Sequence, residues 1–569
     1  MKIALILVFL SNLLPLLTVQ SVPAVLREIA SIERSKEEHT TNRSDPDLQI
    51  PKSLEEFLSS NLPIVIIDTD GQTIRNEPKI TASMKIIHNE EAGINYVTDE
   101  ANIYNGRVGI EIRGHYSASL PQKPYGFETR DDAGNNLDVS LLGMPEENDW
   151  VLLANYNDKP FLRNFLAFEL FRQMGHYAPR TRYCEVILNG EYQGIYLLGE
   201  KIKQDKNRVN IASLDPDENS GGRLTGGYIF KNDYYNANNS WMSNYSPVNK
   251  PGAEVRFVYY DPKPDVLTTQ QKSYLIDYVN SFETVLYSKD FADPRTGYRA
   301  WLDVSSFINY FLIGELTRNV DAYKKSRFYY KDRDSRNGMI YSGPVWDFDW
   351  AWKDIRENCI HVNQPDGSGW AYKINECYAW PVPPSWEVRM IQDPWFVDMI
   401  HDQYYLLRKT VLSEAHINHI IDSVAGLLSE AQVRHYEKWK ILGINVGTPE
   451  YGIQPDTFEG EIEKFKGWIS RRLSWLDKNM IGRGDAFLRG YHAISRIFPN
   501  PAGEYLRIES DTIINEVTVF NLSGIPVITK TGNADYHITI SLTDLSPGLY
   551  LARIKFSHGE LITRRFVKK

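Results

Sequence analysis

The chain has 569 residues, of which 42% are hydrophobic and 24% are charged, and its formal net charge is −10. A chain of this length exceeds what one hydrophobic core ordinarily serves, so two or more domains are expected. The composition excludes a largely disordered protein, and an acidic balance without a basic stripe argues against nucleic acid as a partner.

The N-terminus has the pattern of an export signal. Lys2 precedes an apolar run over residues 3–19, which polar residues and Pro15 interrupt, and small residues follow near 21–24. The run is short for a membrane span, so it predicts a signal peptide over 1–24, with an N-terminal anchor as the alternative. Residues 25–60 are polar and charged and predict a linker. We therefore expect a mature protein outside the cytoplasm, without a transmembrane anchor.

From residue 62 the pattern changes to strands and then to helices, which predicts an α+β domain over 61–480. Asp158 is a candidate N-cap for a helix beginning at Pro160, and Asn189-Gly190 predicts a tight hairpin turn. The predicted strands lie at 64–67, 84–87, 109–114, 183–188 and 194–198, and the predicted helices lie from 160, at 270–287, at 302–317 and across much of 395–480.

One segment of this domain is loaded with carboxylates. An apolar helical run over 307–316 leads to Asp321, and two short strands separated by a turn lead to Asp347-Phe348-Asp349. Aspartate is poor in strands and costly to bury unpaired, so packing alone does not explain this pattern. Phosphoryl transfer needs one carboxylate to orient the attacking hydroxyl and others to hold Mg²⁺ on the phosphates. Binding of Ca²⁺ and capping by these aspartates are the alternatives.

Six segments in this order resemble the CotH kinase family, the spore-coat-protein-H type of atypical secreted protein kinase. The resemblance covers about residues 62 to 349 and extends to about 480, and it implies a two-lobed, atypical protein-kinase-like fold. The segments are Arg113-Gly114, Gln122-Lys123-Pro124-Tyr125, Asp149-Trp150-Val151-Leu152, Asp158 with Leu162-Arg163-Asn164, the hairpin from Leu188 to Glu200, and Asn319-Val320-Asp321 through Asp349.

The resemblance implies a kinase that uses ATP with Mg²⁺, or with Mn²⁺ as an alternative, and phosphorylates Ser or Thr hydroxyls of a secreted or surface protein. It implies that Asp321 orients the hydroxyl and that Asp347 and Asp349 hold the metal. Lys123 would hold the ATP phosphates, with Glu169 as a possible ion-pair partner.

Three further residues have implied places in the same site. Arg163 and Asn164 would orient phosphates, or else cap and pair locally. Glu200 falls at the hinge between the lobes, where backbone groups would bracket adenine.

The segment also departs from the pattern of the family. Ser326 stands where some members carry Asn, at the position where ordinary kinases place a second metal ligand. The family often has a Gly within a few residues after Asp349, whereas residues 350–354 of this chain contain none. These departures leave a second reading open, in which the same fold is catalytically inactive and serves surface adhesion or glycan binding.

The last 75 residues or so change to short alternating strands with Pro and Gly turns, after a predicted linker over 481–495. Residues 496–569 predict a small all-β domain and resemble the Ig-like sorting domain of the type IX secretion system. The segments that carry this resemblance are 497–501, 519–524, 545–550 and 566–569. It implies passage through the periplasm and the type IX machinery to the outer-membrane surface or the medium. A generic β-sandwich binding module is the alternative.

The sequence contains three cysteines. Cys359 and Cys377 flank a loop rich in Gly, Pro and Asn, and in an oxidising compartment they predict a disulfide that closes it. Cys184 lies in an apolar strand pattern and predicts a buried thiol.

Overall fold

A computed structural model describes residues 57–91, 93–355, 364–377, 379–484, 495–556 and 561–569. The predicted signal peptide over 1–24 and most of both predicted linkers lie outside these described residues. Residues 57–569 belong to one unit of mixed α and β structure with an all-β C-terminal part.

Seven strands at the start of this unit close a barrel in the order β2-β3-β5-β6-β7-β9-β8. The parallel pair of β2 and β8 completes the closure, and every other pair is antiparallel. The inward-facing side chains, such as Met84, Phe127 and Trp150, form a packed apolar core. The strands are β2 (Ile64–Asp68), β3 (Ile80–Ile87), β5 (Tyr104–Ile112), β6 (Tyr125–Arg130), β7 (Asp149–Ala154), β8 (Thr181–Leu188) and β9 (Glu191–Glu200), with β1 (Ser59–Ser60) and β4 (Asn95–Tyr96) forming a separate pair.

The predicted hairpin between β8 and β9 is confirmed. Asn189 and Gly190 take positive φ values of 51° and 80°, as a two-residue turn between right-twisted strands requires. The Asn189 side chain also reaches back to the barrel, because its Oδ1 accepts from the Thr69 backbone N–H at 2.8 Å.

A second sheet and nine helices follow, counted over the described residues. The sheet has the order β11-β12-β10-β13-β14. Its strands are β10 (Tyr228–Asn232), β11 (Ser240–Met242), β12 (Arg256–Asp261), β13 (Arg327–Lys331) and β14 (Ile340–Ser342). The helices are α1 (Arg163–Gln173), α2 (Gly221–Leu224), α3 (Thr269–Leu286), α4 (Val304–Thr317), α5 (Trp386–Met390), α6 (Pro394–Leu407), α7 (Glu414–Leu427), α8 (Ala431–Lys438) and α9 (Phe458–Asn479).

Helix α4 is the centre of the helical part. It confirms the helix predicted over 302–317, and each of its residues is buried. Asp303 caps its first turn by accepting from the Ser306 backbone N–H at 2.7 Å, and Arg318 ends it in the left-handed conformation with φ 45°. A helix apolar all round needs neighbours on every side, which α1, α6, α9 and β14 provide.

The predicted start of α1 is wrong by three residues. The helix begins at Arg163, its N-cap is Leu162, and Asp158 lies one turn earlier in the chain. Asp158 still serves the helix start, because its Oδ2 accepts from the Arg163 backbone N–H at 2.8 Å.

The C-terminal part is all-β, as the sequence predicts. Its strands run in the order β15-β16-β18-β19, and β17 pairs with β16. Its own apolar core includes Leu506, Val519, Ala552 and Phe566. The strands are β15 (Ser495–Phe498), β16 (Tyr505–Phe520), β17 (Pro526–Ser541), β18 (Gly548–Phe556) and β19 (Leu561–Lys568).

Two of the cysteine predictions can be compared with the structure. Cys184 is a buried free thiol, as predicted. Cys377 is disulfide-bonded, but its predicted partner Cys359 lies outside the described residues, so the pairing stays a prediction. Within the described part of the chain, no helix is both long and apolar enough to cross a bilayer.

Candidate functional site

The end of α4 sets the position of Asp321. The Arg318 guanidinium, where the helix stops, donates to Asp354 Oδ1 at 2.7 Å and anchors the turn. The Asp321 backbone N–H donates to Asn319 Oδ1 at 3.0 Å, and its carbonyl accepts from the N–H groups of Lys324 and Lys325. The turn therefore holds the Asp321 carboxylate in one orientation.

The Asp321 carboxylate is buried and paired. It is 5% exposed, and the Nζ atoms of Lys325 and Lys324 lie 2.7 and 3.4 Å from its two oxygens. Burial alone would lower the pKa of Lys325, but Asp321 and then Asp347 outweigh that cost and raise it, so Lys325 stays cationic. A fixed positive charge thus lies between Asp321 and the next acid of the segment.

Asp347 faces this turn across a strained stretch of backbone. Asp347 and Ser326 both have positive φ, at 67° and 51°, where residues with a Cβ pay a steric cost of about 1–3 kcal/mol. Ser326 Oγ donates to Asp347 Oδ2 at 3.0 Å, and Asn319 Nδ2 approaches the Asp347 carbonyl at 3.5 Å. The bond between these two residues holds the Asp347 carboxylate in place within the cleft that Asp321 also lines.

Asp347 and Asp349 form a close pair of carboxylates. Burial, and then the neighbouring charge of Asp349, raises the pKa of Asp347 to about 7, although Lys325 opposes the shift. Asp349 Oδ2 accepts from Asn157 Nδ2 at 2.5 Å. Two adjacent carboxylates that repel each other in a recessed position are an arrangement that a bound cation would relieve.

The donor set fits a hard divalent cation. Carboxylate oxygens are the protein ligands of Mg²⁺, which commonly uses one or two of them and completes its shell with water and substrate phosphates. Over the described ranges, no group of three or more His, Cys, Asp or Glu side chains is placed to hold a metal by itself. The pair therefore suits a metal that arrives with a phosphate-bearing ligand.

These acids line a cleft of about 380 Å³ between the barrel and the second sheet. Three cations line the same cleft: Arg113, Lys231 and Lys325. Arg113 lies over the Trp346 ring at 5.0 Å, and Lys231 Nζ lies 2.6 Å from Asp233 Oδ2. The cleft thus combines acids that suit a metal with cations that suit an anion.

Aromatic side chains form the mouth of this cleft. Tyr116 packs edge-on against Trp350 with ring centroids 5.7 Å apart, and His115 lies 4.6 Å from Tyr234. Tyr116 is 43% exposed, so its ring is open to a ligand from solvent. Planar faces at the rim can stack on another ring.

Lys123 does not line the cleft, and its ammonium group is bonded to a backbone carbonyl instead. It precedes β6, and its Nζ donates to the Ala118 carbonyl at 2.9 Å. Glu169, considered as its partner, instead pairs with Arg172 and Gln173 on α1, which corrects that assignment. The helical spacing of three and four residues explains the choice, because these side chains share one face of the helix.

Arg163 and Asn164 both contact the carboxylate segment through local bonds. Arg163 pairs with Asp158 at 2.7 Å and donates from Nε to the Ala351 carbonyl at 3.0 Å. Asn164 lines the cleft, and its Oδ1 accepts from the Phe348 backbone N–H at 2.7 Å. In this structure both residues fix the backbone around Asp347 and Asp349.

Glu200 is buried at the end of β9 and is fully engaged. Its carboxylate accepts from Tyr177 Oη and from the backbone N–H and guanidinium of Arg180. Its own backbone N–H donates to the Arg180 carbonyl at 3.1 Å. The predicted hinge residue therefore closes the barrel end on the loop before β8.

Three residues that line the cleft or contact its acids were missed by the sequence reasoning. Lys325 had a signal, because it follows Asp321 by four residues, a spacing at which one turn brings side chains together. No sequence pattern indicated Lys231 or Asn157, because they lie in parts of the chain that only the fold brings next to the acids. Asn157 lies 192 residues from the Asp349 that it contacts.

Comparisons with known families agree with both resemblances. The family described as CotH kinase protein matches residues 110–476, and the secretion system C-terminal sorting domain matches residues 496–569. The second match indicates handling by a type IX secretion machinery and export to the cell surface or the medium.

Two individual proteins are also similar. The inner spore coat protein H of Bacillus subtilis (strain 168) is 26% identical over 209 residues, which are 36% of this chain and 50% of that protein. The chain thus spans about half the length of this curated relative. The solved structure of CopC from Methylosinus trichosporium OB3b covers 13% of this chain and 91% of its own, at 11% identity and a TM-score of 0.11, which is too low to carry an argument.

Proposed function

Because the chain belongs to the CotH kinase protein family, we propose that it is an exported atypical protein kinase. It transfers the γ-phosphate of ATP to Ser or Thr hydroxyls of a secreted or surface protein. We infer a two-lobed arrangement, with the β-barrel as one lobe and the helices as the other, followed by an Ig-like sorting domain. The observation that carries the proposal is the meeting of Asp321, the Asp347–Asp349 pair and three cations in one cleft.

Asp321 orients the attacking hydroxyl in this proposal. Its carboxylate is held by the turn after α4 and by Lys325 at 2.7 Å, so little reorganisation is needed when the acceptor arrives. A carboxylate in this place accepts the hydroxyl proton as the bond from the hydroxyl oxygen to the γ-phosphorus forms and the bond from the γ-phosphorus to the β,γ-bridging oxygen breaks, which releases ADP.

Asp347 and Asp349 hold the metal, which is Mg²⁺ or alternatively Mn²⁺. When bound, the cation neutralises charge on the phosphates. Ser326 and Asn157 keep the two carboxylates in place through the contacts at 3.0 and 2.5 Å. Asp347 must lose its proton to act as a ligand, so metal affinity falls below a pH of about 7.

Arg113, Lys231 and Lys325 supply the positive charge for the phosphates, because they line the cleft with the acids. The role that the family resemblance gives to Lys123 stays a prediction, since reaching the cleft requires its Nζ to leave the Ala118 carbonyl. Arg163 and Asn164 act indirectly, by holding the backbone at Ala351 and Phe348.

The test is incorporation of labelled γ-phosphate by the purified full chain with Mg²⁺ or Mn²⁺, into itself or into a Ser-rich protein. Wild type labels, and Asp347→Ala does not. Asp265→Ala is a matched control, because Asp265 is exposed and lies outside the cleft. Equal labelling by wild type and Asp347→Ala contradicts the assignment of the site. No labelling by wild type favours the adhesion or glycan-binding reading.

A further inference from the structure

The C-terminal sorting domain packs against the CotH-family domain at the start of α4. Two of its residues, Ile513 and Tyr536, are 6% and 3% exposed and belong to the apolar core of the CotH-family domain, while the sorting domain's own core is a separate cluster. Strand β16 contacts α4 directly. A domain tethered only by a flexible linker would leave these two side chains in water.

A buried polar cluster accompanies this apolar contact. Glu509 on β16 accepts from Asn337 Nδ2 at 2.5 Å and from Tyr341 Oη at 3.1 Å, both on the CotH-family domain. Arg507 of its own strand lies 2.7 Å from the same carboxylate, and Arg496 donates to Asn337 Oδ1 at 3.1 Å. A carboxylate contacted by two hydrogen-bond donors and a guanidinium fixes the register of one domain on the other.

A cavity of about 640 Å³ lies beside this cluster, and both domains line it. Its wall includes His176, Asp303 and Tyr330 from the CotH-family domain and Arg507, Glu509 and His537 from the sorting domain. Asp303 is also the N-cap of α4. The interface therefore meets the helix whose other end leads to Asp321.

We propose that the sorting domain is a docked partner of the CotH-family domain, latched through Glu509, and that its docking stabilises the N-terminal turns of α4. The latch is the contact of Glu509 with Asn337 and Tyr341. This inference does not depend on kinase activity, because it concerns the stability of a helix and the affinity between two domains.

The charges at the latch make docking depend on pH. Burial raises the pKa of Glu509 to about 7; Arg507 opposes the shift and Asp303 adds to it. The groups facing Glu509 are Arg507 from its own strand, Asp303 at the helix cap, Tyr341 and Tyr330 from β14 and β13, and Asn337 with Arg496 beyond it. His176 and His537 line the same cavity. A carboxyl group whose pKa is raised on docking strengthens docking below its ordinary pKa of about 4.3, and that contribution is lost as pH rises through about 7.

The experiment cleaves the folded full-length chain between the CotH-family domain and the sorting domain. A protease site is introduced within residues 485–494, the folded protein is cleaved, and size-exclusion chromatography and hydrogen exchange of residues 304–317 are measured at pH 6. The two pieces of wild type co-elute and α4 stays protected. With Glu509→Lys they separate, and exchange in the first turns of α4 rises by about 10-fold or more. Glu504→Lys, at an exposed position of the same domain, behaves as wild type.

Separation of the wild-type pieces, or unchanged exchange of α4 after they separate, overturns the proposal. Glu509→Gln guards against a Lys variant that fails to fold, because an amide keeps the acceptor oxygen and removes the charge. From pH 5 to pH 8 the ratio of the affinity between wild-type pieces to that between Glu509→Gln pieces falls by about 10-fold or more. Comparing the two proteins removes the contribution of His176 and His537, whose pKa values burial at the interface lowers and which weaken docking at low pH in both proteins. An equal slope in both proteins overturns the role of Glu509.

Discussion

The two ends of α4 each carry buried acids, but the acids are completed differently. At the N-terminal end, the pKa of Asp303 is raised by burial, and Glu509 is surrounded by Asn337, Tyr341 and Arg507. At the C-terminal end, Asp347 accepts from Ser326 and lies against another carboxylate, Asp349. The first group lies at the interface with the sorting domain, beside the cavity of about 640 Å³, and the second lines the cleft of about 380 Å³.

The difference shows which of the two groups needs a ligand. At the N-terminal end the protein supplies partners for the acid, because Glu509 contacts two hydrogen-bond donors and a guanidinium, while burial and Asp303 raise its pKa to about 7. Asp347 and Asp349 instead contact each other in a cleft that cations line. Their negative charges repel each other until a metal binds between them with an anionic ligand. This difference supports a structural role for the N-terminal end of α4 and the proposed chemical role for its C-terminal end.

The largest expected effect comes from Asp321→Asn, which keeps the shape of the side chain and removes its charge. We expect the turnover number for phosphate transfer to fall by about 10²–10⁴-fold, because a general base contributes about that much. The free energy of unfolding also falls, because Lys325 loses the charge that offsets its burial, so turnover is measured on variant protein that is shown to be folded. Steady-state kinetics and a thermal melt check this, and a turnover within threefold of wild type would refute the role of Asp321.

A smaller effect distinguishes Lys325 from Lys123, the two lysines that are candidates to hold the ATP phosphates. Lys325→Met should raise the KM for ATP by about 10-fold, since Lys325 lines the cleft beside both acids, which corresponds to about 1.4 kcal/mol. Lys123→Met should raise it by less, because Lys123 bonds to a backbone carbonyl. If the order of the two KM values is reversed, Lys123 moves into the cleft when ATP binds, as the family resemblance implies.

The smallest effect lies at the other end of the helix and concerns stability alone. Asp303→Ala removes the cap of α4 and should lower the free energy of unfolding by about 1 kcal/mol. Asp303→Asn keeps an oxygen for the Ser306 N–H and should cost less. Urea unfolding followed by Trp fluorescence measures both. A loss of phosphate transfer in Asp303→Asn would contradict a purely structural role for the N-terminal end of α4.

Local pattern predicted much of this architecture. Apolar periodicity located α3 and α4 within about two residues, and the Asn-Gly pair located the β8–β9 hairpin, because these features depend on neighbours in sequence. The start of α1 was misplaced, since Asp158 bonds to the first helical N–H from outside the cap position.

Contacts between segments that are distant in the chain could not be predicted from the sequence. Closure of the barrel depends on the parallel pairing of β2 with β8, more than 100 residues apart. In the site, the acids could be named because they lie in one segment, but the Asn157 contact to Asp349 crosses 192 residues. The docking of Glu509 on Asn337 joins two domains, and no single-sequence pattern encodes such a pair.

The most direct test is calorimetric titration of the full chain with ADP and Mn²⁺, which needs no acceptor protein. The account predicts one site of equal affinity in wild type and Glu509→Gln, and binding weakened by about 100-fold or more in Asp347→Asn. Unchanged binding by Asp347→Asn, or lost binding by a folded Glu509→Gln, would contradict the division of roles between the two ends of α4.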